Sequence, residues 1–325
     1  MAEFSSIIPG ICLAAGVASL ALLASSLHPS FDALLISPLM GMLLGNFIEK
    51  KGAFEAGTRF CIRRVLPAGL GLYGSQLVIS GATMRFLPHI LGASLLFFII
   101  TFLVARGLGL DHEITLLLCT GLSISGASGV SIISGMRAAD RNDVSVSLIS
   151  LWAIGLAGML SISFCPDALG LASQKFAFML GAALPSLGLV KAASASMSEK
   201  LAGLATGLKL LRTALLGFLL MGLYFTKKIK KTKKAKETVR TWEAVCFISL
   251  FWGLALAVNL AGTAGLRLSG ALAPAGLFVL SVSLASLGFS VDFDSIARKG
   301  ASPALTAMFA WGISVLFIYL AMKAF

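Results

Sequence analysis

Eleven stretches of about twenty apolar residues, with short polar joints between them, govern what this chain can fold into. They fall at 6–27, 32–48, 54–80, 88–107, 114–136, 144–165, 176–197, 201–226, 241–262, 271–291 and 302–323. A helix of roughly 20 apolar residues crosses about 30 Å of hydrocarbon. Only 12% of the 325 residues are charged, about half the share of a soluble domain. The expected fold class is therefore an all-α polytopic membrane protein with about 11 transmembrane helices. The one long polar insert is "TKKIKKTKKAKETVR", residues 226–240. The first stretch has no Lys or Arg ahead of it and reads as a retained helix rather than a signal peptide.

The net charge of +12 is placed by topology, not by nucleic acid. Eight basic residues lie between Lys227 and Arg240 and five between Lys50 and Arg64. Six segments separate these loops, so they share a side. The positive-inside rule makes that side the cytoplasm. The amino terminus is then cytoplasmic and the carboxyl terminus outside. The expected location is the plasma (inner) membrane, with 226–240 a basic cytoplasmic loop touching anionic lipid.

The order of small motifs suggests an internal repeat. "MGMLLGN" (40–46) resembles "LGAALPS" (180–186). Thr58, Arg64, Gly69 and Gly74 reappear as Thr206, Arg212, Gly217 and Gly222. "LSISGAS" (122–128) matches "LSVSLAS" (280–286), and Trp152 and Trp311 follow. Segments 2–6 (32–165) thus pair with segments 7–11 (174–325), leaving 1–31 as an extra helix. A unit of five helices enters its second copy from the opposite face, which gives an inverted repeat, the usual build of secondary transporters.

The fifth segment holds "GLSISGASGVSIISG", residues 121–135, unusually rich in Gly and Ser. In lipid an unpaired backbone group costs several kcal/mol, so an interrupted helix is tolerated only inside protein or along a cavity. Breaks in the fifth and tenth segments would let two discontinuous helices cross. Their inner amino ends, each with about half a positive charge, would form an anion site. The expected substrate contacts there are Ser123, Ser125, Gly126, Ser128 and Gly129, with Ser281, Ser283 and Ser286. Close packing of intact helices through small residues is the alternative for both segments.

Charge inside the bilayer costs about 2.5–3.5 kcal/mol or more. The candidates are all basic: Arg212 deep in "LKLLRTALLGFLL", Lys209 one turn earlier, Arg64, and Lys191, which follows "ALPSLGLV" with a kink expected at Pro185. Asp32, Glu113, Asp143, Glu243, Asp292 and Asp294 all lie at segment ends. Arg212, Lys191 and Arg64 are expected to supply countercharge to an anion. Snorkelling to an interface is the alternative for Lys191, Lys209 and Arg64. The five Cys and three His are scattered and make no metal-ligand spacing, so neither metal nor cofactor is expected.

At these residues the chain resembles the YeiH-type sulfate exporter family of bacterial inner-membrane proteins. "GLSISGASG" resembles the family's "GxxICGxxA" at Gly121, Ile124, Gly126 and Ala127. Lys209 to Thr213 follow "KLTRV" in part, and Leu43 to Asn46 match "LLGN". A family Cys is Ser125 here. A family His falls at Pro185 or Ser186, and Lys191 takes a normally apolar position. The resemblance implies a fold grouped with cation antiporters and bile-acid transporters: a core with two crossed broken helices and a separate panel, often moving as an elevator. Dimers are common for such folds.

These readings converge on a secondary active transporter of a small anion (sulfate, sulfonate or carboxylate-like) working by alternating access. The alternatives are a Na⁺- or H⁺-coupled carrier of another small solute, and a passive anion channel. An enzyme is not expected, because the membrane segments hold no catalytic triad or carboxylate pair.

Overall fold

The computed structural model describes residues 2–28, 30–49, 51–164, 170–225 and 241–324. The expected basic loop 226–240 lies outside the described residues. Among the described residues the secondary structure is helical throughout, with no strand. In chain order the helices are α1 (Ala2–Ser25), α2 (Ala33–Phe47), α3 (Gly52–Phe60), α4 (Leu66–Tyr73), α5 (Gly81–Gly107), α6 (His112–Thr120), α7 (Ala127–Arg137) and α8 (Arg141–Phe164). Then follow α9 (Ser173–Ala183), α10 (Leu187–Ser194), α11 (Glu199–Phe225), α12 (Thr241–Leu260), α13 (Gly262–Phe289), α14 (Asp294–Lys299) and α15 (Ser302–Ala324). Single turns of π-helix join α3 to α4 (Cys61–Val65) and extend α6 (Gly121–Ser125).

Among the described residues, six of these helices are long and apolar enough to cross a membrane: α1, α5, α8, α11, α13 and α15. Two other apolar windows of the sequence, the fifth and the seventh, are also helical but broken outright. The fifth window is α6 and α7 with a break at Gly126, and the seventh is α9 and α10 with a break at Leu184–Ser186. An interruption shortens each piece below a bilayer's thickness, so a hydrophobic window and a single spanning helix are different counts.

One expectation is corrected. The tenth window is not interrupted: α13 is one continuous helix of 28 residues that runs through Pro274 and all of "LSVSLAS". The partner of the Gly126 break is in the seventh window instead. The reason lies in how α13 packs. It lies backbone against backbone on α2, with Gly41 facing the Ala285 carbonyl and Gly45 facing the Phe289 carbonyl. From the other side Gly288 faces the Pro38 carbonyl, 3.0 Å from the Met42 nitrogen at its would-be Cβ. The small residues of this pair serve close helix contact, as in other membrane helices.

The chain divides into two compact units. One comprises Met1–Val78, Ser131–Ala139 and Gly217–Asp292; the other comprises Ile79–Val130, Asp140–Leu216 and Phe293–Phe325. In the first unit, α1 packs on α3 and α13, and Ala14, Ala18, Cys61 and Val282 form a small buried cluster. Asn46 ties α2 to the end of α13 by donating to the Val291 carbonyl at 3.1 Å. In the second unit, α8 and α15 pack on each other and α5 packs on α6. Every residue from Cys119 to Ile133 is buried, so the Gly- and Ser-rich run sits deep in protein.

Candidate functional site

The site is the meeting of two interruptions within the second unit. In the fifth window, the Gly126 amide reaches back five residues to the Gly121 carbonyl at 2.9 Å, closing the π-turn. Gly126 then leaves the helix at φ 63 and ψ −139, a backbone state that costs a side-chain-bearing residue about 1–3 kcal/mol. In the seventh window, Pro185 has no amide to donate and disfavours helical geometry at the residue before it. Leu184 is accordingly extended (φ −81, ψ 132). Ser186 is extended too, and its hydroxyl caps α10 by accepting from the Leu189 amide at 3.4 Å. The two breaks touch: a Cβ on Gly126 would stand 3.0 Å from the Pro185 carbonyl carbon and nearer still to its oxygen.

A break strands carbonyls at the carboxyl end of each first half and amides at the amino end of each second half. The carbonyls are answered by side chains. Arg212 of α11 donates from Nε to the Ser123 carbonyl at 3.0 Å and from Nη2 to the Leu122 carbonyl. Its Nη1 donates to the carbonyls of Gly181 at 3.4 Å and of Ala182. Lys209, one turn earlier on the same face, donates from Nζ to the Ile124 carbonyl at 3.3 Å. Trp311 of α15 donates from Nε1 to the Ala183 carbonyl at 2.9 Å. Three carbonyls from each first half, Leu122–Ile124 and Gly181–Ala183, are thus taken up by three side chains.

Arg212 and Lys209 are among the most deeply buried large side chains, at 0% and 1% exposure. The Arg212 guanidinium also lies over the Phe97 ring, 5.3 Å from its centroid, a stacking that suits a planar and weakly hydrated cation. Neither cation has a carboxylate partner among the described residues. What offsets them is the pair of half-helix carboxyl ends, each worth about half a negative charge.

The opposite ends differ. The amides of Ala127, Ser128 and Gly129, and of Leu187 and Gly188, open α7 and α10 and have no preceding turn of their own helix to donate to. Beside the first set, the Ser125 and Ser128 hydroxyls bond each other at 2.7 Å, and Ser128 also donates to the Ser125 carbonyl at 2.8 Å. Two half-helix amino ends, beside two cations whose charge the carboxyl ends offset only in part, make this neighbourhood electropositive.

The structure therefore gathers Ser123, Ser125, Gly126, Ser128, Gly129 and Arg212 at one place. Lys191 is half-buried in the last turn of α10, seven residues past Leu184. Ser281, Ser283, Ser286 and Arg64 belong to the other unit. The three serines are fully buried; Ser283 and Ser286 donate to carbonyls of their own helix, Ser283 to Leu280 at 2.8 Å and Ser286 to Val282 at 3.0 Å. Arg64 sits in the π-turn between α3 and α4, where its side chain is exposed. Sequence reasoning missed Trp311 and Ser186 as members of the site. The sign available for Ser186 was the run "GAALPS" (181–186), in which it follows Pro185; Trp311 stood out only as the repeat mate of Trp152.

Long apolar helices packed around two interrupted ones, with cations buried at the breaks, define a membrane protein of many helices. The chain belongs to the YeiH-type family: the model of the family described as "Conserved hypothetical protein 698" matches residues 9–307. It is 27% identical to the UPF0324 inner membrane protein YeiH of Escherichia coli, over 94% of this chain and 90% of that one. It is 24% identical to the UPF0324 membrane protein blr3189 of Bradyrhizobium diazoefficiens, over 98% of this chain and 94% of that one. A UPF0324 membrane protein of Archaeoglobus fulgidus is 25% identical over 90% of this chain and 85% of its own length. No solved structure matches.

Proposed function

We propose that this protein is a secondary active transporter of a small anion, of the sulfate, sulfonate or carboxylate class, working by alternating access. One observation carries the reading. At the meeting breaks the carbonyl ends are satisfied by Arg212, Lys209 and Trp311, while the amino ends of α7 and α10 stay available. A solute with negative charge is the complement of that arrangement.

Ser125, Gly126, Ser128 and Gly129, joined by Ser186, would offer amides and hydroxyls to the solute. Arg212 would hold the two half-helices in register and lend its field rather than its occupied N–H groups, with Ser123 in the turn it secures. Lys191 would add charge from α10. A part for Ser281, Ser283, Ser286 and Arg64 is assigned by the same reading through the repeat. Its support is that segments 2 and 10 pack together in one unit and segments 7 and 5 in the other. These are the pairs that the sequence repeat equates. On this reading the chain has eleven membrane crossings in two inverted five-helix units. The amino terminus and the basic loop are cytoplasmic, and the protein lies in the plasma membrane as a homodimer.

The test is a thermal-shift panel on purified protein with sulfate, methanesulfonate and succinate at matched ionic strength, followed by counterflow in proteoliposomes. An anion present at 100 times its dissociation constant adds about 2.7 kcal/mol of apparent stability. Ser128→Ala should weaken that gain with little change of melting temperature in chloride, whereas Ser186→Ala should weaken it and, by removing the α10 cap, also cost about 0.5–2 kcal/mol in chloride. If none of the anions stabilises the wild-type protein and none is exchanged, the reading fails. Saturable counterflow separates a carrier from a channel. For orientation, a cysteine substituted for Lys230 should be labelled only after the membrane is opened.

A further inference from the structure

The carbonyls of the two breaks form a donor set with a definite chemistry. Six backbone oxygens, from Leu122, Ser123, Ile124, Gly181, Ala182 and Ala183, converge on groups that carry positive charge or a single N–H. In carriers built around interrupted helices, unwound carbonyls and half-helix carboxyl ends are where a coupling cation such as Na⁺ is held. Here the ligands are present, but the charge comes from the chain itself. The two carboxyl ends sum to about one negative charge, and Arg212 alone balances it.

Arg212 is suited to the place in a way a bound ion is not. Its planar fork spans carbonyls from two separate chain segments, two from the fifth window and two from the seventh. It therefore also splices the half-helices together. Lys209 then covers the fifth remaining oxygen, and Trp311 the sixth. Four of the five guanidinium N–H directions are used, and the side chain is fully buried.

We infer that Arg212 and Lys209 occupy a carbonyl cage fit for a monovalent cation, so that the cage is a latent cation site kept filled by the protein's own side chains. Two consequences follow. Binding and exchange of the solute need no Na⁺ or K⁺ in this cage. Truncating the resident cations converts the cage into a working site for a free one.

This inference rests on the transporter reading only for its first consequence; the second is read without any solute. The wild-type protein is melted in chloride salts of Na⁺, K⁺, methylammonium, methylguanidinium and choline at equal ionic strength. The same series is run on Lys209→Met and on Arg212→Ala. The wild type should melt alike in all five salts. Lys209→Met should be stabilised by Na⁺, K⁺ or methylammonium relative to choline. Arg212→Ala should melt lower than wild type and be restored in part by millimolar methylguanidinium but not by choline. If Arg212→Ala does not fold, the Lys209→Met series decides alone. A folded Lys209→Met protein that melts alike in every salt overturns the inference. So does a wild-type protein whose stability or anion affinity rises about tenfold, or 1.4 kcal/mol, when Na⁺ replaces choline. Failure of the anion panel with the cation series intact would sink only the transporter reading.

Discussion

The Pro185 carbonyl occupies the space into which a side chain on Gly126 would grow, so the two interruptions hold each other open. Gly126 combines a positive φ with a backbone neighbour that cannot swing aside. Gly126→Ala should therefore cost about 2 kcal/mol or more and abolish anion stabilisation. Gly203→Ala is the control. Nothing lies within 4 Å of a Cβ there, and alanine in an exposed helix should be neutral or add up to about 1 kcal/mol. Melting curves of the two proteins in detergent check the contrast.

Arg212→Lys keeps the charge and loses the fork. An ammonium cannot face four carbonyls on two segments, so buried acceptors go unpaired at about 1–3 kcal/mol each. The melting temperature should fall nearly as far for Arg212→Lys as for Arg212→Ala. A lysine variant that melts like wild type would show that charge alone is what the breaks require.

Trp311→Phe removes one donor and little volume. The Ala183 carbonyl would lose its 2.9 Å partner, a cost of about 1–3 kcal/mol for a buried acceptor. The loss should read as a lower melting temperature in detergent, because the carboxyl end of α9 is no longer anchored.

The two serine runs are expected to behave differently. Ser283→Ala removes a hydroxyl that bonds only to the carbonyls of Val279 and Leu280 in its own helix, and stability should change by less than about 0.5 kcal/mol. Ser128→Ala should lower anion affinity about tenfold, equivalent to 1.4 kcal/mol. Equal losses from both variants in a binding titration would give α13 a direct part in the site.

At one end of α8, Lys299 sits 2.6 Å from Asp143. The hydrogen bond and charge of that carboxylate hold the Lys299 ammonium above its usual value. A group whose folded pKa is raised adds stability in full below its unfolded pKa, about 10.4, and loses it as pH climbs through the folded value. Lys299→Met should therefore lower the melting temperature at pH 7, by about 1 kcal/mol, since Lys299 is part exposed while Asp143 is buried. The gap between the two proteins should close as pH climbs through the raised Lys299 value and shrink in high salt.

Much of the fold was legible along the chain. Helix is present in every apolar window that the sequence marks, because length and hydrophobicity alone decide where chain can lie in oil. The break at Gly126 was legible too, since a glycine there can take the positive-φ backbone that a break needs. A kink at Pro185 was legible as well, but not that it is the partner of the Gly126 break. "LSVSLAS" resembles "LSISGAS" residue for residue, and Pro274 sits nearby, yet α13 runs straight through. Small residues serve both a break and a tight helix contact, and the two uses look the same in one dimension. Leu284, where the fifth window has Gly126, was the discriminating sign: it carries a side chain that a left-handed backbone would strain.

The sequence by itself determined a membrane-embedded bundle, a glycine- and serine-rich interruption, and a strong basic charge without acidic partners in the apolar segments. Those properties are sums over local composition, and solvent transfer reads them without knowing the fold. Only the tertiary structure decided that the second interruption is at Pro185, that Arg212 faces carbonyls, and that Trp311 completes the set. Such pairings join residues 30 to 128 positions apart, and they exist because stranded backbone groups in a dry interior take whichever donor the packing brings within hydrogen-bond reach.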